Sequence, residues 1–260
     1  MINGRRINNS VNYNGKKINI LDRNMYLIYD LDGTLVASSR QISPDMINTL
    51  ERLKLKGYKN ILVTGGSYPK VKYQLQDRLD LFEMIFTESG AILHQGGTEI
   101  YRKPITDMID PMLLNTITER FVGICDTIGF NYKGTRVDKR VGLVYLTAIG
   151  MESSDEVRSD FVKYDNDENF RIRLMHDLKF LDNDNEIDIV KGGKTGVTVV
   201  PKGIDKTQIL PYVPTGTIYF FGDNCQTGGN DYPLFVHPRV NGYEVNNYEH
   251  TIELLNQLFL

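Results

Sequence analysis

Short unbroken apolar runs alternate with stretches of helical periodicity along the first part of the chain. "MYLIY" at 25–29 is apolar throughout and ends at an aspartate pair, which predicts a buried strand. "SPDMINTLERLKLKG" follows, with Ser43 placed to cap a helix, Pro44 at its first position and Gly57 at its end. "NILVTGGS" predicts a second buried strand, "YPKVKYQLQDRL" a helix and "EMIFTESG" a third strand. Strands alternating with helices predict a parallel sheet with crossover helices.

The pattern then changes. "AILHQGGTEIYRK" predicts a hairpin turning on Gly-Gly, "DPMLLNTITERFVGICDTIG" a long amphipathic helix and "GLVYLTAIG" a strand. "SSDEVRSDFVKYDNDENFRIRLMHDLKFL" reads as mostly helical and "EIDIVKGGKTGVTVVP" as a second Gly-Gly hairpin. Beyond it the first pattern resumes. "DKTQILPYV" predicts a helix, "TIYFFGD" a strand, "GNDYPLFV" a short helix, "GYEV" a strand and "YEHTIELLNQLFL" a final helix. The expected organisation is an α/β core at 25–96 and 201–260, interrupted by an α+β unit at 97–200. Residues 1–24 form a polar, Asn-rich extension, expected to be flexible or packed on an edge.

Composition changes this picture little. With 260 residues, 41% of them hydrophobic, the chain can bury a full core. A net charge of -3 gives no global attraction to nucleic acid. Two cysteines are too few for a disulfide framework and point to a reducing, cytoplasmic compartment. No apolar run is long enough for a membrane span, and the N-terminal stretch lacks the apolar segment of a secretion signal.

Three predicted strands end in oxygen-bearing residues: Asp30 and Asp32 on the first, Thr64, Gly65, Gly66 and Ser67 on the second, Gly222 and Asp223 on the "YFFGD" strand. Taken singly, each is compatible with an ordinary strand-to-helix turn. Together they fall at the carboxyl edge of one sheet, where ligands of open parallel sheets bind. Carboxylates gathered there repel one another, and a cation among them relieves the cost. An all-oxygen set suits Mg²⁺. Lys206 stands at a helix start where the core resumes, placed to neutralise a phosphate or a carboxylate; the alternative is a solvent-facing lysine. Asn230 and Asp231 follow Asp223 on a glycine-rich loop that can fold back onto the site. The histidines at 94, 176, 237 and 250 lack metal-ligand spacing, and none is read as catalytic.

"DLDGTL" at 30–35, "VTGG" at 63–66, Lys206, and "GD" with "ND" across 222–231 together resemble the haloacid dehalogenase (HAD) superfamily of phosphotransferases. The resemblance implies a Rossmann-like core with an inserted cap. It implies Asp30 as a nucleophile that becomes an aspartyl-phosphate and Asp32 as general acid/base. Thr64 would then hold phosphoryl oxygens, and Lys206 would orient Asp30. Mg²⁺ would be held by the carboxylates of Asp30 and Asp223 and the backbone carbonyl of Asp32, with Asp231 as a further metal candidate. "GGSYPKVKYQL", "TESGAI", "GGKTGVTVVPKGIDK" and "IYFFGDNCQTGGNDYPLFVHPRVNGYEV" look like the eukaryotic phosphomannomutase branch, from about residue 25 onward. That branch implies interconversion of mannose 6-phosphate and mannose 1-phosphate, with a hexose 1,6-bisphosphate as activator. Members of that branch are often dimeric through the cap, for which the apolar face of "DPMLLNTITERFVGI" is one candidate; the same face reads equally as the cap's own core.

The cap departs from the branch. Arg140 and Arg158 keep two distal-phosphate positions, while a third falls on Met151. A strand asparagine becomes Tyr145, sugar-contacting Ser and Asp positions fall on Gly196 and Thr198, and a core arginine lies one place off register at Arg40. His237 stands where the second cation loop has an aspartate. Lys194 is a candidate replacement contact. Besides the mutase, two readings stay open: a sugar-phosphate phosphatase in which water takes the phosphoryl group from Asp30, and a scaffold without catalysis. The full acidic set with Lys206 weighs against the scaffold.

Overall fold

In the computed structural model of the protein, residues 10–13, 16–19 and 24–260 are described. Strands β1 (Ser10–Tyr13) and β2 (Lys16–Asn19) pair antiparallel in a small sheet of their own. The rest of the expected polar extension lies outside the described residues.

Next come β3 (Met25–Tyr29), α1 (Pro44–Leu55), β4 (Lys59–Val63), α2 (Tyr68–Gln74) and β5 (Met84–Thr87). They are followed by β6 (Ile92–Gln95), β7 (Thr98–Arg102), α3 (Pro111–Cys125), β8 (Val137–Lys139) and β9 (Val144–Thr147). Helices α4 (Asp155–Glu168) and α5 (Phe170–Lys179) lead into the hairpin β10 (Ile187–Gly192) and β11 (Gly196–Pro201). The chain closes with β12 (Thr217–Gly222), α6 (Tyr232–Phe235), β13 (Val240–Glu244) and α7 (Tyr248–Phe259).

The large sheet has the order β13-β12-β3-β4-β5-β6-β7. Its five strands β13 to β5 are parallel, and β6 and β7 add an antiparallel edge. Every residue of β3 is buried because the strand is covered on both faces. Met25, Leu27 and Tyr29 point into one core with α1 and α7, whereas Tyr26 and Ile28 point into another beneath α6 and the 3₁₀ turn Lys206–Tyr212. The chain steps from β3 toward β4 on one side and returns through β12 on the other, so the strand order reverses at β3. Ligands of such sheets bind at the carboxyl end of that reversal.

Local signals set the helix bounds. Ser43 Oγ accepts the amide of Met46 at 3.2 Å to open α1, and the chain leaves it through Gly57 at φ +89°. Asn247 Oδ1 accepts the amide of His250 at 2.8 Å to open α7. Within α7, the Thr251 hydroxyl donates to the carbonyl of Thr34 at 2.7 Å, tying the helix to the loop after β3.

The inserted unit is a four-stranded antiparallel sheet, β10-β11-β9-β8, with α3, α4 and α5 on one face. Val144, Leu146, Val197 and Val199 pack there against Phe121, Phe161, Phe170 and Leu174. Alternation sends Tyr145 and Thr198, which are register partners, to the opposite face. The hairpin of β6 and β7 belongs to the large sheet, so the expected boundary at residue 97 would divide it. The basic stretch "KGTRVDKR", open to reading as a solvated loop, contains β8 as an edge strand. The helical stretch 155–179 breaks at Asn169, which sits in the left-handed region at φ +52°. The expected helix at "DKTQILPYV" is a 3₁₀ segment that contains Pro211, whose missing N–H and fixed φ oppose a regular α-helix.

Candidate active site

Strand register brings the candidate residues together. Tyr29 pairs with Leu62 of β4 and Phe221 of β12, so Asp30, Thr64 and Asp223 leave the sheet at nearly the same height. The amide of Asp30 still donates to Phe221 O at 3.0 Å, which fixes its backbone against β12. Asp30, Asp223 and Asp231 each offer a carboxylate oxygen to a cluster with all three within 4.8 Å of one another.

Lys206 anchors this cluster from below. Its side chain is buried, its ammonium hydrogen-bonds Asp30 Oδ1, and it donates to Asp231 Oδ1 at 2.6 Å. The other oxygen of Asp231 accepts the Asn224 amide at 3.1 Å. Burial pushes the Lys206 pKa down, but the two carboxylates outweigh it and hold the ammonium charged above the ordinary lysine range. Burial, with Asp231 and Asp223 adding to it against Lys206, pushes the Asp30 carboxyl up to about 8. Burial and Asp231 push Asp223 up to about 6.

Three carboxylates face one ammonium, and ionised together they would exceed it by two negative charges. A divalent cation fits that balance and the all-oxygen donor set. Gly33 supports the same conclusion. It sits at φ +86°, and a Cβ there would stand 2.1 Å from Asp223 Oδ2. Only glycine lets the loop after β3 approach that carboxylate so closely. Gly33→Ala is expected to displace Asp223, raising the Mg²⁺ concentration for half-maximal activity and lowering kcat by roughly 100-fold, the usual cost of an ångström of misplacement. A Mg²⁺ titration of initial rates checks this; an unchanged titration would remove Asp223 from the cation site.

Asp32 is held apart from that cluster. Its Oδ2 accepts Lys70 Nζ at 2.5 Å, and its Oδ1 accepts the Ser39 amide at 2.8 Å and Gln74 Nε2 at 2.9 Å. Burial is the largest single influence and pushes its pKa up. Lys70, Ser39 and Gln74 together outweigh it and hold the carboxyl below its ordinary value. Thr64 is buried, and its Oγ1 accepts the Gly66 amide at 3.0 Å. Ser67 precedes α2 without spending its hydroxyl on a cap.

The cap residues divide. Arg140 Nη1 donates to Gly65 O at 3.0 Å, and its Nε pairs with Asp138 at 2.6 Å. It therefore spans from the cap to the loop after β4. Beside it, Glu88 Oε2 accepts the Gly142 amide at 2.8 Å and links the end of β5 to the cap. Arg158 instead donates to Ser153 O at 3.0 Å and Met151 O at 2.7 Å, so its guanidinium closes its own loop. Arg40 and Lys194, the other candidate phosphate contacts, lie at the surface. Both residues are exposed, and neither side chain hydrogen-bonds a catalytic loop among the described residues. Asn230 Oδ1 accepts Asn224 Nδ2 at 2.6 Å at the rim. Lys70, Gln74 and Glu88 are site residues that the motifs do not single out. The signal for the first two is helical spacing: i and i+4 of α2 share one face, which meets Asp32.

A buried carboxylate beside a buried lysine, a glycine loop after the neighbouring strand and a cap on a Rossmann-like sheet define a HAD-type phosphotransferase. Solved structures share this fold. The C-terminal domain of the Candida albicans trehalose-6-phosphate phosphatase superposes with a TM-score of 0.60 at 14% identity, covering 90% or more of both chains. The HAD subclass IIB sugar phosphatase BT4131 gives 0.54 at 20% identity, covering 89% of this chain and 91% of that one. A family model described as eukaryotic phosphomannomutase matches residues 46–260, and the chain belongs to that family. The phosphomannomutase of Babesia bovis is 33% identical over 239 residues, covering 89% of this chain and 95% of that one. Those of Galdieria sulphuraria and Saccharomyces cerevisiae are 32% and 29% identical, each over about nine tenths of both chains. The protein is thus an enzyme of the phosphohexose-mutase kind. No described helix is long and apolar enough to cross a membrane.

Proposed function

We propose that the protein interconverts mannose 6-phosphate and mannose 1-phosphate through a phosphorylated Asp30, with Mg²⁺ in the acidic cluster and a hexose 1,6-bisphosphate as activator. The observation that carries this reading is the buried Lys206 hydrogen-bonded to one oxygen of Asp30. It leaves Oδ2 as the oxygen not engaged by Lys206, while the backbone bond to Phe221 fixes the Asp30 main chain against β12. The cycle runs from the enzyme phosphorylated at Asp30, with Asp32 ionised. The free hydroxyl of the hexose monophosphate loses its proton to Asp32 as its oxygen attacks the phosphorus, and the bond from phosphorus to Asp30 Oδ2 breaks. Once the resulting bisphosphate has turned round, Oδ2 attacks its other phosphorus, the bond to that sugar oxygen breaks, and Asp32 returns the proton to the departing oxygen. Asp30, Asp223 and the Asp32 carbonyl would hold the cation, which supplies neutralisation of phosphoryl charge. Asp231, whose oxygens are spent on Lys206 and Asn224, holds the lysine in place. Thr64, Ser67, Asn230 and the amides of Gly65 and Gly66 border the phosphoryl position. Two buried free cysteines accord with a cytoplasmic setting, where hexose phosphates are found.

Lys70 holds Asp32 ionised before substrate arrives. Lys70→Met removes that ammonium, so the Asp32 pKa rises. The acidic limb of the kcat/KM profile for the hexose monophosphate is expected to move to higher pH, while the alkaline limb stays. A limb that does not move would show that Asp32 is not the group titrating there.

The loop-bound state of Arg158 favours a second reading, hydrolysis, because Arg140 is then the one cap arginine turned toward the core. One assay separates the two. The protein is incubated with Mg²⁺ and mannose 1-phosphate, with and without a hexose 1,6-bisphosphate, and isomer and free phosphate are followed together. Isomer formed only with the bisphosphate supports the mutase. Phosphate release without isomer refutes it in favour of the phosphatase.

A further inference from the structure

The turn after β5 is strained. Glu88, Ser89 and Gly90 stand in the left-handed region at φ +52°, +59° and +100°. Two of the three carry a Cβ, for which that region is costly. The loop after β4 holds them there: the amide of Glu88 donates to Gly66 O at 3.1 Å and that of Ser89 to Thr64 O at 2.8 Å. From the other side Gln208 Nε2 donates to Ser89 O and the Tyr101 hydroxyl to Gly90 O, both at 2.8 Å. Such strain persists only where neighbours over-determine it, and it gathers at functional sites. The tip of the cap's β8–β9 hairpin rests on this turn. Arg140 N donates to Leu143 O at 2.9 Å, which leaves Val141 and Gly142 as a two-residue tip. Gly142 fits without room to spare: a Cβ there would stand 2.0 Å from Ala91 Cβ and 3.3 Å from Glu88 O. Its amide donates to the buried Glu88 carboxylate at 2.8 Å, and from the same hairpin Arg140 Nη1 donates to Gly65 O at 3.0 Å. The bonds close a circuit, from Gly66 through Glu88 to Gly142, and from Arg140 back to Gly65.

We infer that Glu88 is a positioning residue for phosphoryl transfer: its carboxylate seats the cap hairpin tip on the core, which keeps Arg140 over Gly65 and Gly66 and keeps water from phosphorylated Asp30. Glu88 acts through Gly142 and Gly66 rather than on the reacting atoms. With the tip unseated the cap lifts and solvent enters. A water oxygen then bonds to phosphorus, the bond from phosphorus to Asp30 Oδ2 breaks, and the water proton passes to Asp32. This inference rests on the phosphoryl-transfer reading above, with Asp30 as acceptor.

The test supplies a hexose 1,6-bisphosphate and Mg²⁺ and measures free phosphate released per phosphorylated Asp30, the latter by acid quench and mass spectrometry. Glu88→Ala removes the acceptor, and Gly142→Ala pushes the tip off Ala91. Both are expected to raise the release rate roughly tenfold, the scale of one hydrogen bond to a charged group. Glu88→Gln keeps an oxygen for the Gly142 amide and should reverse most of the rise. Adding Ala91→Gly to Gly142→Ala removes the methyl that the new Cβ meets, and should reverse it as well. A contact that only stabilised the fold would not raise this rate. Release unchanged within twofold in both Glu88→Ala and Gly142→Ala would overturn the seat and leave the phosphoryl-transfer reading standing, and so would a rise that neither compensating change reverses. Absence of phosphorylated Asp30 in the unmodified enzyme would overturn that reading, and the seat with it.

Discussion

Asp30→Asn is expected to abolish turnover, with kcat falling by at least about 10⁴-fold, the scale seen when a covalent nucleophile is removed. The amide oxygen cannot accept a phosphoryl group to give a stable acyl phosphate, and no neighbour can substitute. Asp231 has both oxygens engaged, and Asp32 is held by Lys70, Ser39 and Gln74. The fold should survive. Three crowded carboxylates share one ammonium, and an asparagine at 30 removes part of the repulsion that lifts Asp30 to about 8 while Asp231 still pairs Lys206. Inactivity with an undiminished melting temperature, measured on one sample without added metal, is the expected pair of results. Turnover retained within tenfold would refute the nucleophile assignment.

Lys206→Met should act on stability as well as rate. The lysine is 1% exposed and contacts two buried aspartates, so its loss strands both. Breaking a buried pair by removing one partner costs about 3–5 kcal/mol, which corresponds to roughly a 10 °C fall in melting temperature for a chain of this size. The sign of the pH dependence follows from the surviving carboxylates. Without Lys206 their folded-state pKa values rise further above the unfolded value. The folded variant then holds protons that the unfolded chain gives up as pH rises from about 4 toward 8, so its stability falls across that window. The destabilisation relative to the unmodified protein should therefore be larger at pH 8 than at pH 5. A melting temperature unchanged at both pH values would contradict the placement of Lys206 between the two acids.

What could be read from the amino-acid order follows from how local each determinant is. The run Met25–Tyr29 announces a central strand because burial on both faces forbids polar alternation. Ser43, Pro44 and Gly57 announce α1 because capping is decided within a few residues. Asp30, Thr64, Asp223 and Lys206 converge because each ends or begins an element at one sheet edge. The fates of single side chains depend on distant partners and are not local. Arg158 fits a ligand position by alignment, yet carbonyls of its own loop take its guanidinium. Asp231 carries the oxygen chemistry of a metal ligand, yet the ammonium reaching it is 25 residues away in the chain. Edge strand β8 hides in a basic stretch because an exposed edge needs no apolar alternation. The fit of Tyr145 to Gly192 and Gly196 spans three strand segments, and only the folded hairpin shows that these departures form one unit.

The central claim is that the phosphoryl group passes through Asp30. It is tested most directly by acid-quenching the enzyme during turnover with Mg²⁺ and a hexose 1,6-bisphosphate. Borohydride reduction then converts an acyl phosphate to homoserine, and peptide mapping locates it. Homoserine at position 30, absent without substrate and absent at position 32, is the predicted result. Active enzyme carrying the label at another residue, or at none under these conditions, would contradict it.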